Sequence, residues 1–175
     1  PPEFNTVDFL VETHKDSTGV EIVTPQRDAT FKESYYKTLI LKVGYRGGQG
    51  NMLLPGTTPR IMALDAAYGS IPTSGYRPIP FVPTAHFLYI NDGHPAPKEV
   101  YHTVHITVPS PSAPMRAREG GVYADGAVVE FAYDLNETDL LARWKPLRVR
   151  HDKTSGNDYA TADSNWASIH NPVTD

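Results

Sequence analysis

At 175 residues, 39% of them hydrophobic and 21% charged, the chain is long enough to bury the core of one globular domain. A formal net charge of −4 argues against a general nucleic-acid coat, so any contact with RNA has to use a local basic patch. The absence of cysteine excludes disulfides and thiolate chemistry and is consistent with an intracellular compartment; no apolar run approaches a bilayer-crossing length, and the first residues lack a signal-peptide layout.

In chain order, Asn5–Glu12 is rich in β-branched and aromatic residues and predicts a strand with Val7, Phe9 and Val11 on one face. Asp16-Ser-Thr-Gly19 predicts a turn. Tyr35–Tyr45 is a stronger strand, closed by Arg46-Gly-Gly-Gln-Gly-Asn51, which lacks the Gly-Lys-Ser/Thr ending of a P-loop and is read as a connector. Most of the sixteen prolines fall between Pro55 and Pro114, so short strands and ordered loops are expected there, with apolar pieces at 61–64, 79–82 and 86–90. Across 99–108, Val100, His102, Val104, Ile106 and Val108 share one face and His105 takes the other. The two histidine rings therefore point apart and are poorly placed to chelate one metal; a core or edge role is expected for both. After a Pro/Ser linker (109–114) and a turn at Tyr123-Ala-Asp-Gly126, the runs Ala127–Asp134 and Arg143–Arg150 predict an antiparallel hairpin. One helix is expected, over Ala160–Ile169, stopped by Asn171-Pro172. Many short strands and a terminal helix make a small β-barrel with appended elements the economical architecture.

The hairpin's second strand ends in Arg148, Arg150, Asp152 and Lys153, three cations and one carboxylate. Arginine offers paired planar donors and lysine a compact charge, a combination suited to a polyphosphate, although charges also cluster at strand ends for solubility. Asp152 and Lys153 alone could be a surface pair, and Trp144 either a core anchor or a base-stacking platform.

The segment Arg150-His-Asp152-Lys153, followed by Asn157-Asp-Tyr159, Ser168-Ile169 and Asn171-Pro-Val-Thr174, closely resembles the last nucleotidyltransferase signature (motif VI) of mRNA capping guanylyltransferases and the helix behind it. The lead-in Val129–Tyr133 with Trp144-x-Pro-Leu-Arg148 is similar as well. At the other end, Pro1-Pro-Glu-Phe-Asn-Thr-Val-Asp-Phe9 resembles the segment after that family's Lys-x-Lys signature. The combination looks most like the capping enzymes of large DNA viruses; the Pro/Gly-rich middle carries no matching motif.

The resemblance implies a mainly β fold: an OB-fold-like small antiparallel β-barrel with loop insertions and a C-terminal helix. Residues 1–12 would end the nucleotidyltransferase domain or linker, 13–154 form the OB domain with an insertion at about 46–115, and 155–175 the helical segment. It implies a parent enzyme that transfers GMP from GTP, through a lysine-linked intermediate, to the 5′-diphosphate end of RNA. The OB domain would close over GTP, with Arg150, Asp152 and Lys153 at the β and γ phosphates, Arg148 and Asn157 assisting, and Mg²⁺ travelling with the nucleotide. Partners implied are GTP and the RNA 5′ end, with other capping domains (triphosphatase, methyltransferase) as candidates and no membrane. Location would be intracellular (viral factory, cytoplasm or nucleus) or in the virion. Two departures stand out. Gly156 replaces a frequent proline, which should loosen the turn, and the Lys-x-Asp-Gly nucleophile signature is missing, since Tyr123 occupies the first position of Tyr-Ala-Asp-Gly. The chain alone is therefore expected to be inactive. A non-catalytic RNA- or partner-binding module and the OB domain of a polynucleotide ligase remain alternatives.

Overall fold

The computed structural model describes residues 5–46, 76–84 and 101–171. The apolar pieces at 61–64 and 86–90, Val100, the glycines after Arg46, and both outermost motif ends (1–4 and 172–175) lie outside the described residues. Among the described residues the architecture is mainly antiparallel β with a C-terminal helix, as the sequence predicts.

The strands are β1 (Thr6–Thr13), β2 (Val23–Arg27), β3 (Glu33–Tyr45), β4 (Arg77–Pro80), β5 (Thr103–Val108), β6 (Met115–Arg116), β7 (Val122–Tyr123), β8 (Val128–Tyr133) and β9 (Trp144–Val149). The helix α1 covers Tyr159–His170, and a 3₁₀ turn covers Leu140–Ala142. The main sheet runs β2-β3-β1-β8-β9, with β4 and β5 also paired to β3. Long β3 is the hub. One of its edges takes β1 at Leu39–Lys42 and then β2 at Glu33–Lys37, so residues 14–22 are an excursion from one nearly continuous edge. Among the described residues no ladder joins β9 to β5; the β6–β7 hairpin donates Arg118 N–H to Pro146 O and Glu119 N–H to Leu147 O on that side.

Strand β2 is not anticipated by the sequence reading, because Pro25 interrupts it. Proline is tolerated there because β2 ends the sheet path and pairs only with β3 among the described strands. Two turns of the same construction flank it. Asp16 Oδ1 accepts from Thr18 N, Thr18 Oγ1 and Val20 N; Asp28 Oδ1 accepts from Thr30 N, Thr30 Oγ1 and Lys32 N. The fourth residue of each turn has a left-handed backbone: Gly19 at φ 88° and Phe31 at φ 60°. Glycine suits that conformation; phenylalanine, 79% exposed here, does not.

Alternation works as predicted on β1 and β5, and β3 follows the same pattern. Val7, Phe9, Val11, Leu39, Leu41, Val43, Val104, Ile106 and Val108 are all buried. His102 continues that face and is fully buried, accepting the Trp144 indole N–H at Nδ1 (2.9 Å). Trp144 is thus a core anchor. His105, on the outer face, stacks on Tyr36 with ring centroids 4.1 Å apart. Helix α1 buries Tyr159, Ala162, Trp166 and Ile169 at helical spacing. It is pinned by Tyr159 Oη donating to Val82 O (2.7 Å), by the Asp163 carboxylate accepting from Thr84 N and Oγ1, and by Asn165 Nδ2 donating to Thr6 O. Trp166 then packs edge-on against His102, Phe81 and Tyr133.

The β8–β9 hairpin forms as expected, with one irregularity that decides where the arginines point. Phe131 pairs with Pro146, yet Glu130 pairs with Arg148, so Leu147 is an extra residue on β9. Strict alternation would put Arg148 on the buried face with Trp144. The bulge turns it outward while Val149 returns inward opposite Val129.

Candidate functional site

The charged segment begins where β9 ends. Arg150 N–H donates to Val128 O (2.8 Å), the last hydrogen bond along that edge, and Lys153 N–H closes a turn onto Arg150 O (3.2 Å). The chain then runs into a fork in the main sheet. The β1–β3 ladder stops at Leu10↔Lys42. Where Asp8 and Gly44 would pair next, Asn157 stands between them. Its N–H donates to Asp8 O (2.8 Å), its Oδ1 accepts Asp8 N–H (2.8 Å), and its carbonyl accepts Gly44 N–H (2.8 Å). Asn157 is thereby an anchor of the loop, with its amide oxygen and backbone committed to β1 and β3.

Gly156 makes that fit possible. A Cβ there would lie 2.8 Å from Asp8 O, 2.8 Å from Lys42 O and 3.0 Å from Leu10 N. These are backbone atoms that cannot swing away. The expected loosening of the turn is therefore not what the structure shows: this glycine lets the loop lie tightly against the sheet.

Above the fork, Asp8 Oδ2 accepts from Arg150 Nη1 (3.1 Å) and from Lys153 Nζ (2.5 Å). The Asp8 side chain is only 6% exposed, against 21% for Arg150 and 34% for Lys153, so a buried anion carries two partly exposed cations. Arg150 is less open to solvent than a bare strand end would be, because it folds back onto this carboxylate. Asp152 stands out in water, its Oδ1 3.7 Å from Arg150 Nε. Arg148, turned outward by the bulge, shares that face with Arg150 two residues on, but it reaches Glu130, the cross-strand partner of Asp8. Burial pushes the Glu130 carboxyl up; the Arg148 hydrogen bond and then that of Thr6 Oγ1 outweigh it and hold the group below its ordinary range. The Arg148 guanidinium is pushed up, chiefly by the same hydrogen bond.

The sequence-predicted residues Arg150, Asp152 and Lys153 are thus brought together, with Asn157 beneath them and Arg148 beside them. Asp8 was missed as a site residue. It sits in the Asn5-Thr-Val-Asp-Phe9 run, where a polar residue alternating with Val7 and Phe9 reads as solvent-facing. Only the tertiary fold, which lays residues 150–157 over it, makes it the counter-ion of residues more than a hundred positions away. Among the described residues no group of three His, Asp or Glu side chains is placed to hold a metal ion, and no helix is long and apolar enough to cross a membrane.

A mainly antiparallel β domain closed by a C-terminal helix, presenting an Arg-x-Asp-Lys loop at a strand end, is the setting in which the family described as the mRNA capping enzyme C-terminal domain matches residues 80–175. That match covers more than half of the chain and contains the whole loop, so the protein belongs to this family. It is also similar to a probable mRNA-capping enzyme of Acanthamoeba polyphaga mimivirus, with 34% identity over a 67-residue alignment that covers 32% of this chain. The matched region is 6% of that viral protein's length. No solved structure matches.

Proposed function

We propose that this chain serves guanylyl transfer in a capping enzyme by supplying cationic donors to the β and γ phosphates of GTP bound on a neighbouring nucleotidyltransferase domain. In that reaction a lysine amine bonds to the α phosphorus while the bond to the bridging oxygen breaks, and pyrophosphate departs with the electron pair. Negative charge grows on the leaving group, and donors already aimed at it lower the barrier without reorganising. The observation that carries this reading is the shared grip of Asp8 on Arg150 and Lys153, which holds two cations side by side at a solvent-facing rim. Asp8 uses one carboxylate oxygen for both, and each cation keeps further N–H donors for a phosphate.

Asp152, exposed beside Arg150, is suited to orient the lysine or to meet the nucleotide's magnesium. Mg²⁺ enters as part of the nucleotide substrate, held mainly by its phosphates. Arg148, already paired with Glu130, adds positive potential in place of a direct contact. Lacking the Lys-x-Asp-Gly nucleophile, the chain alone forms no GMP adduct in this reading. RNA with a 5′-diphosphate end would accept GMP in the second step.

The test is adduct formation from labelled GTP by an enzyme in which this domain accompanies its nucleotidyltransferase domain. Arg150→Ala and Lys153→Ala should each slow it by roughly ten- to a hundredfold, the worth of one charge-assisted hydrogen bond. Each single variant leaves the other cation on Asp8, so the fold is kept. Unchanged rates in both would sink the assignment.

A further inference from the structure

The loop that follows Lys153 is gripped from a third side by a residue outside the region the family match covers. Tyr76 Oη donates to Gly156 O at 2.9 Å. Its ring lies so close over Gly44 that a Cβ built there would fall 1.5 Å from Tyr76 Oη and 1.8 Å from Cζ. Gly44 in turn donates its N–H to Asn157 O (2.8 Å), and the Arg46 guanidinium lies 5.8 Å from the Tyr76 ring centroid. Two glycines are thus needed for two different close approaches: Gly156 against the backbone of β1 and β3, and Gly44 beneath the tyrosine ring.

From this we infer that Tyr76, seated on Gly44, is a positioning residue for the phosphate-binding loop. By holding the Gly156 carbonyl it fixes the backbone three residues beyond Lys153. That limits the arc through which Lys153 and, across the turn, Arg150 can swing. Tyr76 itself bonds the loop's main chain and is given no contact with nucleotide. The inference rests on the phosphate-binding role assigned above to Arg150 and Lys153. A precise angle matters here because donors aimed at a departing pyrophosphate lose effect steeply when misplaced.

Two substitutions break the lock differently. Tyr76→Phe removes only the hydroxyl and leaves the ring on Gly44. Gly44→Ala drives the ring away. In the enzyme carrying its nucleotidyltransferase domain, Tyr76→Phe should slow GMP-adduct formation about three- to tenfold, with kcat falling and KM for GTP little changed. Gly44→Ala should do at least as much, and Gly44→Ala with Tyr76→Phe no more than Gly44→Ala alone. The decisive readout is a double-mutant cycle with Lys153→Ala: once the lysine is gone, losing the hydroxyl should cost little further rate. A merely structural tyrosine would instead give additive losses that track the melting temperature. If Lys153→Ala slows the reaction and Tyr76→Phe does not, or if the two losses are additive, the positioning role is refuted and the phosphate-binding reading survives. If Lys153→Ala and Arg150→Ala are both silent, that reading falls and this inference falls with it.

Discussion

Removing Asp8 and removing its two cations should have unequal effects, and the inequality follows from exposure. In Asp8→Asn the shape and much of the hydrogen bonding survive, and the stranded Arg150 and Lys153, 21% and 34% exposed, can turn toward water. With so much access to solvent, the loss should be about 1–2 kcal/mol, below the 3–5 kcal/mol typical of breaking a fully buried pair. Replacing both cations, Arg150→Met with Lys153→Met, instead leaves a carboxylate whose side chain is only 6% exposed with neither cation in place. That buried charge should cost about 3–4 kcal/mol. Adding Asp8→Asn to the double variant should then recover stability, although a third residue has been changed. Urea unfolding followed by the fluorescence of buried Trp144 and Trp166 measures all three at near-neutral pH. If Asp8→Asn is the most damaging change, or if the triple variant is the least stable, the carboxylate is not the buried partner on which the cluster depends.

His102 should make the protein sensitive to acid. Burial, and secondarily His170, lower its pKa to about 3, below an ordinary 6.5, so only the unfolded chain binds a proton between those values; stability is full above pH 6.5 and lost as pH falls toward 3. Between pH 7 and pH 5 the loss should be about 2 kcal/mol, and His102→Gln should flatten that slope in pH-dependent urea melts. Gly156→Ala should destabilise the chain by about 2 kcal/mol or more, because its Cβ meets two backbone carbonyls at 2.8 Å; an unchanged melting temperature would show that the loop has room to move. Phe31→Gly should raise stability by about 0.5–1 kcal/mol, the relief of a left-handed phenylalanine less the entropy of glycine, while Gly19→Ala in the twin turn should lower it. A fall on Phe31→Gly in calorimetry would contradict the strain argument.

Much of the fold was legible because one-sided burial leaves a plain alternation: Val7-Phe9-Val11 and His102-Val104-Ile106-Val108 declared their faces, and α1 its span, before any coordinates. Strand β2 stayed hidden because Pro25 argues against a strand unless the strand is known to sit at an edge, and edges are a property of the assembled sheet. The outward turn of Arg148 was hidden too, since a bulge at Leu147 depends on the register between two strands. At the site, the cations were readable from type and spacing. Asp8 and Tyr76 were not, because each acts on the loop from a distant part of the chain through contacts that exist only once β1, β3 and the loop have met.

The way Asn157 fills the fork between β1 and β3 has a consequence for how such a loop can move. Its hydrogen bonds with Asp8 and Gly44 continue the sheet's own network, so the loop is less an attachment than a seam in the fabric. Lifting it alone would unstitch the centre of the sheet, an event that belongs with large-scale unfolding and not with the quick flutter of a surface lid. If the proposed reading holds, any approach of Arg150 and Lys153 to a nucleotide would be made by the domain as one body, like the jaw of a clamp. The travel would then be set by the joint to a neighbouring domain, with the grip formed before the jaw shuts.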